Sequence, residues 1–161
     1  MKILGIDASH RNTGIVVLEL LPSAKSILNI LYSKTLKTQK IQGVLPEYSQ
    51  VKSVIEEINH AKFLHGVYTS VCEIAHFGQN FGSARNVGIT WGISIATGSI
   101  PYTENQVRSM FPRKKGDKRE IKELASEWLL SHNFIHTEKI LEMDDHQVDA
   151  CCVAIYHHLK S

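Results

Sequence analysis

Lys2-Ile3-Leu4-Gly5-Ile6-Asp7-Ala8-Ser9-His10-Arg11-Asn12-Thr13-Gly14-Ile15-Val16-Val17 decides the reading of this chain. A short apolar run ends on a carboxylate, turns through a small polar loop and enters a second apolar run. That pattern describes two strands of a hairpin, over 2–7 and 14–20, with Gly14 supplying backbone freedom after the turn. An acid at such a strand end can simply cap the turn. It gains a sharper use when acids also finish other elements. Glu73 closes the run Val67-Tyr68-Thr69-Ser70-Val71-Cys72, and Asp145, His146 and Asp149 gather in Asp144-Asp145-His146-Gln147-Val148-Asp149-Ala150. Carboxylates brought from three distant segments to one point can hold divalent cations, the chemistry of phosphodiester cleavage.

Outward from the hairpin, residues 27–37 suit a third strand, with Ile30, Tyr32 and Thr35 among its β-favouring residues. After Pro46, Tyr48, Val51, Ile55 and Ile58 fall at helical spacing. The continuous, mostly β-favouring run 67–73 predicts a strand covered on both faces. A loop through Gly78 and Gly82 leads to a helix over about 83–97, where Gly88 and Gly92 stand four apart and permit close backbone approach. A last short strand is expected over 99–103. Beyond Pro112 and Gly116, a helix over about 117–131 lines up Ile121, Leu124, Ala125, Trp128 and Leu129 on one face. The C-terminal helix, about 145–158, does the same with Val148, Cys151, Cys152 and Ile155. Three opening strands followed by alternating helices and strands describe an α/β domain with a mixed five-stranded sheet flanked by helices.

With 161 residues, 43% of them hydrophobic, the chain suits one domain over 1–161 rather than two. No stretch approaches the roughly 18–20 uninterrupted apolar residues of a membrane span, so no membrane partner is expected. The N-terminal apolar run is broken at Asp7 and lacks the pattern of a secretory signal. Three cysteines, two of them adjacent, form neither a disulfide framework nor a C-x-x-C zinc pair. The expectation is a reducing, cytoplasmic setting, with Cys72, Cys151 and Cys152 as small core residues. The net charge is only +2, yet Arg108, Arg113, Lys114, Lys115, Lys118, Arg119 and Lys122 crowd one segment against Asp117 and Glu120. Such a block either forms a solvated face or sits on a polyanion, where each phosphate contact releases counterions.

Within the last helix, Asp145 and Asp149 are spaced i,i+4 and His146 and Asp149 i,i+3, so either pair can face one point. Asp149 is the secure member, and on spacing alone its partner stays open. Asp145 could equally serve the N-terminal helix dipole. Glu73 at a buried strand end would be costly as an unpaired charge, and either a metal or a basic side chain would relieve it.

In four segments, taken in order, the chain resembles the RuvC Holliday-junction resolvases of the ribonuclease H-like superfamily over nearly its whole length. Ile3-Leu4-Gly5-Ile6-Asp7 with Thr13-Gly14 is similar to the opening strand and turn of the family. Glu73, followed by an aromatic and Gln79-Asn80, is similar to its second motif. Gln106-Val107-Arg108, the basic loop and Lys118 resemble its DNA-binding part, and His146-Gln147-Val148-Asp149-Ala150 its last acidic motif. The loop after Asp7 lacks the Pro-Gly pair common in the bacterial enzymes. His76 stands where the family often has Phe, with Phe77 one residue later. The compact form is closer to phage- or virus-borne members, for which the setting would be the host cytoplasm.

The resemblance implies a ribonuclease H-like fold and a metal centre of Asp7, Glu73, His146 and Asp149. It favours His146 over Asp145, because the family places Asp or His three residues before its final Asp. Two magnesium ions per site are implied; manganese is the alternative that an imidazole ligand suits. Lys118 would offset charge beside the scissile phosphate. Arg108, Arg113, Lys114, Lys115 and Arg119 would contact DNA, while His76 and Phe77 would stack on an unpaired base. The implied activity is that of a crossover-junction endodeoxyribonuclease, nicking four-way or other branched DNA to leave 5′-phosphate and 3′-hydroxyl ends. It would work as a homodimer and use no nucleotide cofactor. The dimer is expected on the Gly88/Gly92 helix, with Asn80, Phe81, Ala84 and Trp91 around it. Alternatives are a less selective nuclease of flaps, forks or RNA–DNA hybrids, and a non-catalytic junction-binding protein. An actin-like ATP-binding domain would need a second phosphate loop and a longer chain.

Overall fold

The alternation of the opening hairpin sorts its side chains onto two faces, and each face becomes a core. The structure, a computed structural model, describes residues 1–9, 11–21, 26–37, 46–75, 81–111, 121–132, 134–135 and 138–161. Its elements are β1 (Lys2–Asp7), β2 (Asn12–Leu21), β3 (Ser26–Lys37), α1 (Pro46–His65), β4 (Thr69–Ile74), α2 (Phe81–Thr97), β5 (Ile100–Thr103), α3 (Glu104–Arg108), α4 (Ile121–Ser131), β6 (Phe134–Ile135), α5 (Glu138–Leu141) and α6 (Asp145–Lys160). The sheet order is β5-β4-β1-β2-β3-β6. The β1/β2 and β2/β3 pairs are antiparallel, whereas β1/β4, β4/β5 and β3/β6 are parallel. The five expected strands form the mixed sheet, and the two-residue β6 extends it by one beyond β3.

Ile3, Val16, Leu18 and Val71 face one core, shared with Leu129 of α4 and with Val148, Cys151, Cys152 and Ile155 of α6. Leu4, Ile6, Ile15, Val17 and Cys72 face the other, against Val54 and Ile58 of α1 and Ile93 of α2. The three cysteines are free and buried, as expected of core residues. No helix among the described residues is long and apolar enough to cross a membrane.

Some boundaries differ from expectation. The strand expected over 67–73 begins at Thr69, and Tyr68 is exposed because it precedes the pairing with β1. The short helices α3 and α5 carry too few residues to show a helical period. Of the helix expected over 117–131, the part from Ile121 is described.

Gly14 has a role other than backbone freedom. Positive φ occurs at Gly66 and Gly98, which follow α1 and α2, and not at Gly14. A Cβ at Gly14 would stand 2.0 Å from the His146 carbonyl oxygen, and one at Gly5 would stand 1.9 Å from that of Ala150. These two missing side chains let α6 lie directly on β1 and β2. That close contact decides where the site residues of α6 stand.

Candidate metal centre

Asp7 and Glu73 end neighbouring parallel strands and are partners in the β1/β4 register. Side chains at registered positions leave the same face of a sheet. For this pair it is the face of Ile3, Gly5 and Val71, the one that α6 covers. Across β1, Asp7 is paired with Gly14, whose missing side chain admits the first turn of α6.

That first turn is held at two points. Asp144 caps the helix, accepting from the Gln147 amide at 3.0 Å, and its other oxygen accepts from Thr35 Oγ1 of β3 at 2.6 Å. His146 then faces the strand ends. Its Nδ1 lies 2.7 Å from Asp7 Oδ2, and its Nε2 lies 3.2 Å from Asn12 Nδ2. In the neutral ring, Nδ1–H donates to Asp7 and Nε2 accepts from Asn12. Protonation makes both nitrogens donors, and the Asn12 amide then presents its oxygen. Asn12 is steadied by Ser9, whose hydroxyl accepts from the Asn12 amide at 3.0 Å and donates to its carbonyl. The neighbouring Thr13 hydroxyl accepts from Gln50 of α1 at 3.2 Å.

The electrostatics of the centre follow from crowding acids away from water. Burial pushes the Glu73 carboxyl up to about 9, with Asp7, Asp149 and Glu104 adding repulsion. Asp149 rises to about 7 by burial and by Asp7, against the pull of Arg108. Asp7 is also raised by burial, although the His146 contact opposes it. His146 is raised chiefly by its bond to Asp7. Each acid therefore gives up its proton reluctantly, and a cation among them would offset the cost of ionising them.

The donor set, three carboxylates and an imidazole, suits magnesium or manganese. Among the described residues, no three such side chains already converge tightly enough to grip an ion. The His146–Asp7 bond occupies a lone pair on Asp7 that an ion would use. Ligation through His146 Nδ1 would break that bond, whereas ligation through Nε2 would give up only the Asn12 contact.

Other expected residues fall variously. Asp145 is exposed in the first turn of α6, one residue after the cap, with its neighbour His146 turned to the acids. Arg108 ends α3, and its charge reaches Glu73 and Asp149, lowering both. Lys118, Arg113, Lys114, Lys115, Arg119, His76 and Phe77 lie outside the described residues. Sequence reading missed Asn12, Glu104 and Gly5. Of these only Gly5 carried a local signal, a glycine inside a strand, which often marks close backbone approach.

No family model matches the chain, and no curated protein matches it in sequence. Similarity of structure is extensive. Thermus thermophilus RuvC in complex with a Holliday junction substrate superposes with a TM-score of 0.67 at 18% identity, covering 99% of this chain and 94% of that one. The yeast mitochondrial Holliday junction resolvase Ydc2 gives 0.64 at 12%, covering 96% and 76%. Fowlpox virus resolvase, in complex with substrate Holliday junction DNA, gives 0.54 at 8%, covering 99% of each chain. The chain has the fold of the RuvC-type resolvases, the ribonuclease H-like arrangement that its opening strands resemble.

Proposed function

We propose that this chain is a metal-dependent endonuclease that nicks branched DNA, four-way junctions above all. The observation that carries the reading is the registered pair Asp7 and Glu73, met by His146 and Asp149 from a helix lying directly on the strands. Asp7, Glu73, Asp149 and His146 would hold two divalent ions. Such ions supply Lewis acidity at a scissile phosphate and a hydroxide at neutral pH. Asp149 and Glu73, ionised only with difficulty, supply compensating negative charge. Asn12 orients the His146 ring from its far nitrogen. Arg108, at the rim, would meet a DNA phosphate, as would the basic segment 113–119, with Lys118 nearest the reacting group.

Paired nicks across a two-fold junction call for two such sites, which a symmetric dimer provides. We place the second copy on α2. Ala84, Val87, Gly88 and Trp91 line an apolar groove of about 410 Å³, and Ile95 extends the exposed stripe. The position of a Cβ on Gly88 or Gly92 meets nothing within 4 Å among the described residues, which leaves room there for a second backbone.

Asp7→Asn and Asp149→Asn test the reading. Each should abolish magnesium- or manganese-dependent cleavage of a synthetic four-way junction while junction binding in calcium persists. Cleavage surviving in both variants would remove the metal centre. Binding without cleavage by the wild type, in any divalent ion, would instead identify a junction-binding protein. Comparing flap, fork and hybrid substrates in the same assay separates the less selective nuclease.

A further inference from the structure

We propose that Glu104 is a positioning residue: it holds the Arg108 guanidinium at the rim of the acidic centre and keeps it from folding onto Glu73 and Asp149. The inference rests on the metal-centre reading above and deepens it.

The placement follows from topology. Tyr102 and Thr103 of β5 pair in register with Glu73 and Ile74 of β4, so the chain leaves β5 beside Glu73. It enters α3 at once, through a capping box in which Thr103 accepts from the Gln106 amide and Gln106 Oε1 accepts from the Thr103 amide. Val107 is buried in the core with α6, which fixes the rotation of this short helix. Glu104 and Arg108, four residues apart, therefore share a different face, at the edge of the centre. Their side chains pair, Nη2 to Oε1, at 2.5 Å, and both are about half exposed.

A lone arginine in that position would be a competitor for the site. The acids its charge reaches are the half-buried Glu73 and Asp149, and a guanidinium fits a carboxylate with two hydrogen bonds. Folded inward, it would neutralise the acids that are meant for divalent ions. Glu104 offers the same geometry further out, at less desolvation cost. The cation then stays where a phosphate can reach it, while Glu73 and Asp149 stay free. Field effects agree with this proximity: the Arg108 charge lowers Glu73 and Asp149, and the Glu104 charge raises both together with Asp7.

A double-mutant cycle on manganese binding, followed by calorimetry in the absence of DNA, tests the inference apart from catalysis. Glu104→Gln should weaken manganese binding by about fivefold or more. Arg108→Ala in the Glu104→Gln background should restore it, because the competitor is gone. If Glu104 acted only through its own charge, Glu104→Gln would weaken binding by the same factor with or without Arg108, and that additive result overturns the proposal. Unchanged binding in Glu104→Gln overturns it as well. In single-turnover junction cleavage at limiting manganese, Glu104→Gln should be slow and regain most of its rate at saturating ion. A wild-type chain that binds no manganese and cuts no junction would refute the metal-centre reading and this inference with it. A failed cycle in a chain that does both refutes Glu104 alone.

Discussion

Gly5→Ala puts a methyl group where the carbonyl oxygen of Ala150 already stands. The new Cβ would lie 1.9 Å from that oxygen and 3.1 Å from Ala154 Cβ, whereas ordinary contact begins at 3.4 Å. Gly14→Ala creates the same conflict with the His146 carbonyl, at 2.0 Å. The obstacle in both cases is helix backbone, so no rotamer change relieves it. Strand and helix must separate by about 1.5 Å, inside an interior packed to crystal density. Overpacking of this kind costs about 3 kcal/mol, which for a domain of this size lowers Tm by roughly 6–12 °C. The separation also draws His146 and Asp149 away from Asp7 and Glu73, and misplacement by about 1 Å can cost on the order of 100-fold in rate. Thermal unfolding by circular dichroism in EDTA reads the first effect, and single-turnover junction cleavage the second. Gly88→Ala in the Trp91→Glu background, which removes the proposed dimer contact, is the internal control: its Cβ meets nothing within 4 Å among the described residues, and replacing a helical glycine should stabilise by about 0.5–1 kcal/mol. If Gly5→Ala and Gly14→Ala melted within about 2 °C of wild type and cut at its rate, α6 would not lie on the strands as described.

The acidic centre predicts how stability depends on pH. Glu73, Asp149, Asp7 and His146 all bind protons more tightly folded than unfolded, so their contribution is full at low pH and is lost as pH rises through about 7 for Asp149 and about 9 for Glu73. Above pH 6.5, beyond the lowered His157 and His158, the Tm of metal-free protein should fall steadily to pH 9; magnesium should flatten that slope, and a flat metal-free profile would contradict it. His146→Ala should cut activity severely and Asp145→Ala little, while His146→Asp should retain magnesium activity; the reverse ranking in a steady-state assay would return Asp145 to the site. Trp91→Glu should leave Tm within about 2 °C but yield monomers by sedimentation that nick a junction once without the coordinated second cut; dimers persisting in that variant would move the interface off α2.

How much of this was legible in sequence depends on whether a residue's partner is local. Asp7, Glu73 and Asp149 could be proposed as one centre because each ends or punctuates an element whose apolar period is clear, and the structure brings the elements that carry them side by side. The choice between Asp145 and His146 stayed open on spacing because i,i+3 and i,i+4 both return to one helix face. The structure leaves Asp145 exposed and turns His146 to Asp7, because the Asp144 cap bonded to Thr35 sets the rotation of the first turn. No local pattern announces the Asn12–His146 contact, which joins residues 134 positions apart. Gly14 was visible but misread: a glycine after a turn suggests freedom of φ, and the competing demand, close approach of α6, arises only in three dimensions. Glu104 was hidden for a related reason. Within its own helix it is an ordinary i,i+4 partner of Arg108, and it acquires meaning only because β5 pairs with β4 and delivers it beside Glu73. Residues proposed to hold the metals announce themselves through the elements they end or punctuate; those proposed to aim and space them are chosen by what the neighbouring element leaves room for.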